Sequence, residues 1–182
     1  MDIIETEENL KGRQCPITNE IEKLAASIIS QMGSATPPSL AVKTLATAES
    51  CTGGQMSSAL TAVAGSSKIF GGGVVAYTEA AKCKLLGVPA SLMTSHGVVS
   101  AEVAKAMALG AVKTLGTTFA LSSTGVAGPS GGSLETPVGT VFIGLAGPNI
   151  LVSRPFLFAG SRAEITTQAV RAAFELLIQN LN

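Results

Sequence analysis

Thr44 to Gly54 reads T-L-A-T-A-E-S-C-T-G-G. Thr44 to Ala48 is a short apolar run of the kind that forms a buried strand, with Leu40 as an alternative start. Gln55 to about Ala64 has the composition of a helix. Ser50 therefore stands where a strand ends and a helix is about to begin. The first N–H groups of a helix have no internal partners, and the helix dipole adds partial positive charge there. A hydroxyl at that junction is placed to attack a carbonyl while nearby amides receive the oxyanion. Thr52 follows it, and Gly53 and Gly54 leave room for a substrate to approach. The same letters also suit a plain helix start, because Ser and Thr are favoured N-caps and Gly a favoured turn residue.

Working outward, strand and helix signals alternate. Before the central run, Thr18 or Asn19 can cap a helix in which Ile21, Leu24, Ala25, Ile28 and Met32 recur at helical spacing up to Gly33. A Pro37-Pro38 connector follows. After it, Phe70-Gly71-Gly72-Gly73 opens a strand over Val74 to Tyr77, and Thr78 to Leu86 reads as a short helix closed by Gly87 and Pro89. Ser91 to Met93 reads as one helical turn and His96-Gly97 as a bend. Ser100 caps a helix over Ala101 to Leu115, with Val103, Met107, Ala111 and Leu115 as its inner stripe. Thr117 to Ser123 is a third strand. Val138 to Leu145 and Ile150 to Phe158 form a hairpin around Ala146-Gly147-Pro148-Asn149. Ser161 and Glu164 form a capping box for a last helix reaching Leu181. This alternation predicts a three-layer α/β/α sandwich on a mixed, mostly parallel five-stranded sheet. Residues 1–16 read as an N-terminal arm and 17–182 as a single domain.

Composition narrows the function. Twelve basic and twelve acidic residues cancel, and no basic run provides the footprint of a nucleic-acid binder. No apolar stretch reaches the ~18–20 residues of a membrane span, and the acidic N-terminus lacks a signal core. Cys15, Cys51 and Cys83 are odd in number and scattered, which fits neither a disulfide framework nor a C-x-x-C metal site. A reducing, cytoplasmic setting is expected. With 46% hydrophobic and 13% charged residues, a homo-oligomer is expected too, a dimer first.

Three segments fall at the carboxyl ends of the expected parallel strands, where ligands gather in α/β sheets; they begin at Glu49, Tyr77 and Thr124. They bring Ser50, Tyr77, Lys82 and Thr124 into question together. A serine and a lysine make a nucleophile and a base when burial or neighbours keep the amine neutral. His96 is the only histidine and lies in a bend, which leaves little for a histidine base. Lys82 also suits a solvated helix face, and Tyr77 a packed strand end. The run Thr124 to Gly132, T-G-V-A-G-P-S-G-G, matches neither a Walker motif nor G-x-G-x-x-G, but its amides suit an anion. Arg162, in a first helical turn where the dipole disfavours it, suits a phosphate clamp. No metal-ligand cluster and no cofactor motif is present in the sequence.

Five of these segments together resemble the CinA C-terminal domain family, which includes the stand-alone nicotinamide-nucleotide amidases. They are A-E-S-C-T-G-G at 48–54, G-G-V-V-A-Y-T-E-A-A-K from Gly72, G-V-V-S-A-E-V-A-K-A-M-A-L-G at 97–110, T-G-V-A-G-P-S-G-G with P-V-G-T-V at 137–141, and G-S-R at 160–162. The resemblance runs over about residues 22 to 180. It implies hydrolysis of nicotinamide mononucleotide to nicotinic acid mononucleotide and ammonia, without metal. It implies Ser50 as nucleophile, Lys82 as general base and Tyr77 as an aid to proton transfer. Substrate contacts would come from Thr52, Gly53, Gly54, Thr124, Gly125, Gly128 and Arg162. The chain carries Thr136 and Thr166 where the family's pattern usually has Lys and Arg. An amidase with another substrate and a non-catalytic nucleotide-binding or regulatory domain are the competing expectations.

Overall fold

The computed structural model describes residues 19–34 and 42–181. The expected arm to Pro16, Cys15, the Thr18 cap, the Pro37-Pro38 connector and a strand start at Leu40 lie outside the described residues. Six helices and five strands follow in chain order: α1 Asn19–Gly33, β1 Leu45–Glu49, α2 Gln55–Thr61, β2 Phe70–Val75, α3 Glu79–Leu86, α4 Ala90–His96, α5 Ala101–Leu115, β3 Phe119–Gly125, β4 Thr140–Gly147, β5 Ile150–Leu157 and α6 Arg162–Ile178.

The strands lie in the order β2-β1-β3-β4-β5. β1 pairs in parallel with both β2 and β3, while β4 is antiparallel to β3 and to β5. Four strands thus run one way and β4 is reversed, the mixed sheet expected of βαβ units finished by a hairpin. The hairpin pairs Gly147 with Ile150, so its loop is only Pro148-Asn149. Asn149 takes the left-handed conformation at φ 60°, which asparagine tolerates better than most residues.

Alternation along β1 sorts its side chains between the two outer layers. Leu45 faces α1, α2 and α6, in a core with Ile28, Met56, Leu60, Leu121, Ile143 and Phe174. Ala46 and Ala48 face α3, α4 and α5, in a second core with Leu86, Met93, Val103 and Met107. Small residues bring α5 close to the sheet. Ser122 Oγ donates to the Ala104 carbonyl at 2.6 Å, and a Cβ on Gly144 would lie 2.5 Å from that same oxygen.

β2 departs from the expected Val74 to Tyr77. Its glycines lie inside the strand, and pairing stops at Val75. The reason is packing from outside the strand: a Cβ at Gly71 would lie 2.7 Å from Thr117 Cγ2, and one at Gly73 2.1 Å from Ser57 Oγ. The single turn expected at Ser91 to Met93 is the full helix α4. The cap at Ser100 and the Ser161–Glu164 capping box are both formed.

Candidate active site

At the carboxyl end of β1 the chain leaves the sheet through Ser50, whose amide donates to the Ser123 carbonyl on β3 at 3.0 Å. Thr78 caps α3 by accepting from the Ala81 amide, and the helix then carries Lys82 beneath this strand end. Lys82 is buried at 1% exposure. Its Nζ donates to Ser50 Oγ at 2.9 Å and to the Ala76 carbonyl at 3.0 Å. Among the described residues no carboxylate forms an ion pair with it. Burial therefore pushes the Lys82 ammonium below the ordinary lysine pKa, opposed only in part by the charge of Glu79. A lysine so placed spends more of its time as a neutral amine with a lone pair toward the serine hydroxyl.

Above the pair opens a cavity of ≈ 210 Å³, lined by Ser50, Cys51, Tyr77, Lys82, Thr124 and Arg162 with Val98, Val99, Gly125 and Ala127. Thr124 is buried, and its Oγ1 donates to the Val98 carbonyl at 2.9 Å, which fixes that wall. Burial raises the Cys51 thiol to about 11, so beside Ser50 it stays protonated at neutral pH.

Tyr77 and Arg162 form the rim. Arg162 Nη2 donates to Tyr77 Oη at 2.8 Å, and Nη1 to the Gly128 carbonyl at 2.8 Å. The guanidinium thus ties the glycine-rich loop and the start of α6 to the segment after β2. The Tyr77 ring is 58% exposed, and among the described residues its hydroxyl bonds to neither Ser50 nor Lys82. The structure therefore joins Tyr77 to Arg162 rather than to the expected proton-transfer pair.

Thr52, Gly53 and Gly54, expected at the substrate, are not on the cavity wall. The cause is Glu49, the last residue of β1, which is fully buried. Its Oε2 accepts from Thr52 Oγ1 (2.8 Å), the Gly54 amide (2.9 Å) and the Met56 amide (3.0 Å). Its Oε1 accepts from the Ser57 amide (2.8 Å), Ser57 Oγ (2.7 Å) and Thr47 Oγ1 (3.3 Å). The start of α2, expected to hold an oxyanion, is thus already taken by a carboxylate of the chain itself. Sequence alone assigns Glu49 no role in the site. Its available signal was an acid closing an otherwise apolar strand, since glutamate is almost never fully buried without partners.

The two departures from the family's pattern also lie off the cavity. Thr136 bonds to Ser133 within the 125–137 loop, and Thr166 is buried, donating to the Ala163 carbonyl and accepting from Gln55 Nε2. His96 ends α4 at the surface, 3.8 Å from Glu102. Among the described residues no group of three or more His, Cys, Asp or Glu side chains could hold a metal ion, and no helix is long and apolar enough to cross a membrane.

A family model of the CinA C-terminal domain matches residues 27–181. A CinA-like protein of Anaeromyxobacter dehalogenans is 47% identical over 133 residues, which are 73% of this chain and 33% of that protein. One from Geotalea daltonii is 49% identical over 138 residues, 76% of this chain and 33% of its own length. The chain thus spans about a third of the length of these curated relatives. Among solved structures, the competence/damage inducible protein CihA from Agrobacterium tumefaciens aligns with a TM-score of 0.82 at 41% identity, covering 89% of this chain and 96% of that one. A CinA superfamily protein from Escherichia coli aligns with a TM-score of 0.78 at 32% identity, covering 99% of both chains.

Proposed function

The chain belongs to the CinA C-terminal domain family, and we propose that it is an amidohydrolase converting nicotinamide mononucleotide to nicotinic acid mononucleotide and ammonia through Ser50 and Lys82. One observation carries the reading: a buried amine 2.9 Å from a serine hydroxyl at the floor of a cavity. A pure binding module has no need of a nucleophile paired with a base of lowered pKa.

In the first half-reaction, neutral Lys82 Nζ takes the Ser50 Oγ proton as Oγ bonds to the carboxamide carbon. The carbonyl π pair moves to oxygen. In this reading the Cys51 amide, next in sequence after the nucleophile, serves as the backbone donor to that oxyanion, as the following amide does in other strand-to-turn nucleophile sites. The intermediate collapses, the C–N bond breaks, and the Lys82 proton leaves with the nitrogen as ammonia. In the second half, water replaces ammonia: Lys82 accepts its proton, the hydroxide oxygen bonds to the acyl carbon, and Ser50 Oγ leaves and recovers the proton. The Ala76 carbonyl keeps Nζ oriented throughout. Arg162 has N–H groups beyond the two engaged by Gly128 and Tyr77 and sits at the rim, the place for a ribosyl phosphate.

The test is ammonia release from nicotinamide mononucleotide by the native protein, Ser50→Ala and Lys82→Ala, with and without chelator. Chelator-resistant turnover lost in both variants supports the dyad. A native protein inactive on this nucleotide overturns the substrate assignment.

A further inference from the structure

Glu49 is not accounted for by the chemistry above, yet it is the most heavily coordinated side chain next to the nucleophile. Six donors from residues 47, 52, 54, 56 and 57 converge on its two oxygens. Four of those five residues follow Ser50, so the turn after the nucleophile wraps around this carboxylate. Thr52 Oγ1 also contacts Ser123 Oγ at 2.7 Å, which anchors the turn to β3. The main chain of Glu49 works toward the same end: its carbonyl accepts from the Ala76 amide at 2.9 Å, and the Ala76 carbonyl in turn accepts from Lys82 Nζ. One residue thus fixes the peptide before Ser50, the turn after it, and the carbonyl that orients the base.

We propose that Glu49 is a positioning residue whose carboxylate clamps the Ser50–Gly54 turn and so holds Ser50 Oγ on Lys82 Nζ. The proposal rests on the Ser50–Lys82 reading of the site. The clamp needs a carboxylate, because three of the donors are backbone N–H groups that cannot reverse: Gly54 and Met56 at one oxygen, Ser57 at the other. In Glu49→Gln, either orientation of the amide sets an NH2 group against at least one of these fixed donors. The turn must then open, and a displacement near 1 Å at a nucleophile costs about 100-fold in rate. The clamp also withdraws the first amides of α2 from the substrate, so the anionic end of a substrate is left to the Arg162 rim.

The experiment measures two rates on native protein, Glu49→Gln and Ser57→Ala. One is turnover of nicotinamide mononucleotide. The other needs no substrate: the rate at which a fluorophosphonate labels Ser50, forming the Oγ–P bond and releasing fluoride, followed by intact mass. Melting temperature is recorded alongside. Folded Glu49→Gln is expected to lose about 100-fold in kcat and in labelling rate while KM changes less than about threefold. Ser57→Ala, which removes one charge-assisted hydrogen bond, is expected to lose about tenfold in both. A residue that only stabilises the fold would lower the melting temperature and leave labelling of the folded protein at the native rate, and that result overturns the proposal. Should Glu49→Gln fail to fold, Ser57→Ala decides by the same criterion. If the native protein labels at Ser50 and Glu49→Gln labels slowly, but none turns over the nucleotide, the substrate assignment fails and the clamp stands. A native protein that does not label at Ser50 overturns both.

Discussion

Replacing Lys82 by methionine separates the chemistry of its amine from the space it fills. Methionine has nearly the same length, so the buried volume is kept while Nζ and its bonds to Ser50 Oγ and the Ala76 carbonyl are lost. A lysine with the ordinary pKa of 10.5 is neutral in only about one molecule in 3,000 at pH 7, and each unit of lowering raises that fraction tenfold. The burial of Lys82 therefore acts directly on rate, and losing the base is expected to cost at least about 1,000-fold in kcat/KM. Native kcat/KM should climb with pH and level off below the ordinary lysine value of 10.5, as Lys82 loses its proton, whereas Lys82→Met should lack that limb. Stability gives an independent reading of the same shift. The folded protein releases the Lys82 proton at lower pH than the unfolded chain does. Between the folded pKa and 10.5 the unfolded state binds more protons, so native stability rises with pH relative to Lys82→Met, by at most about 1.4 kcal/mol per pH unit. Below the folded pKa the cost of the buried ammonium is constant. Urea denaturation of both proteins from pH 7 to 10.5, beside the ammonia assay, tests this. Lys82→Met activity within tenfold of native, or a native rate still rising with an ordinary lysine midpoint, would refute the reasoning.

Three further outcomes are expected. Cys51, buried and raised to about 11, should resist iodoacetamide in the folded protein at pH 8 while half-buried Cys83 reacts, as peptide mapping will show; prompt labelling of Cys51 would mean the cavity wall is open. Arg162→Ala should raise KM about tenfold with a smaller effect on kcat and little change in melting temperature, because the side chain sits at the exposed rim; Arg162→Lys should recover only part, lacking the fork that spans Gly128 and Tyr77. Gly144→Ala should cost about 2–4 kcal/mol in chemical denaturation, since the new Cβ meets Ser122 Oγ at 2.4 Å and the Ala104 carbonyl at 2.5 Å, and these two are bonded to each other.

The layers were legible because their signals are local. The helical stripes in α1 and α5, the Ser100 cap and the Ser161–Glu164 box each depend on residues within a turn or two, and the structure forms them. β2 departs from its expected bounds because its glycines answer to Thr117, Ser57 and Thr47, which come from other elements. The Tyr77–Arg162 contact is equally non-local, joining residues 85 positions apart. Ser50 and Lys82 were singled out as a possible nucleophile and base, but their 2.9 Å contact spans 32 positions and no periodicity reports it. Glu49 escaped because its donors are mostly backbone amides and small hydroxyls, which have no distinctive letters.

The two-residue period of β1 explains how a single strand end serves both layers. Thr47 and Glu49 point toward α2, while Ala46, Ala48 and then Ser50 point toward the layer of α3 and α5. On β3 the same alternation turns Ser123 toward Thr52 and Thr124 toward Val98. The polar clamp and the reactive pair therefore lie on opposite faces of one sheet, separated by a single peptide. A slip of one residue in β1 would send the carboxylate into the cavity beside Lys82 and turn the hydroxyl toward the start of α2. An acid beside that lysine would hold it protonated. The register is fixed by Ala46 and Ala48, which fit under α5 where Leu45 would not, and by Leu45, which fills the opposite core. The small apolar residues of β1 thus decide which of two adjacent polar side chains carries the chemistry.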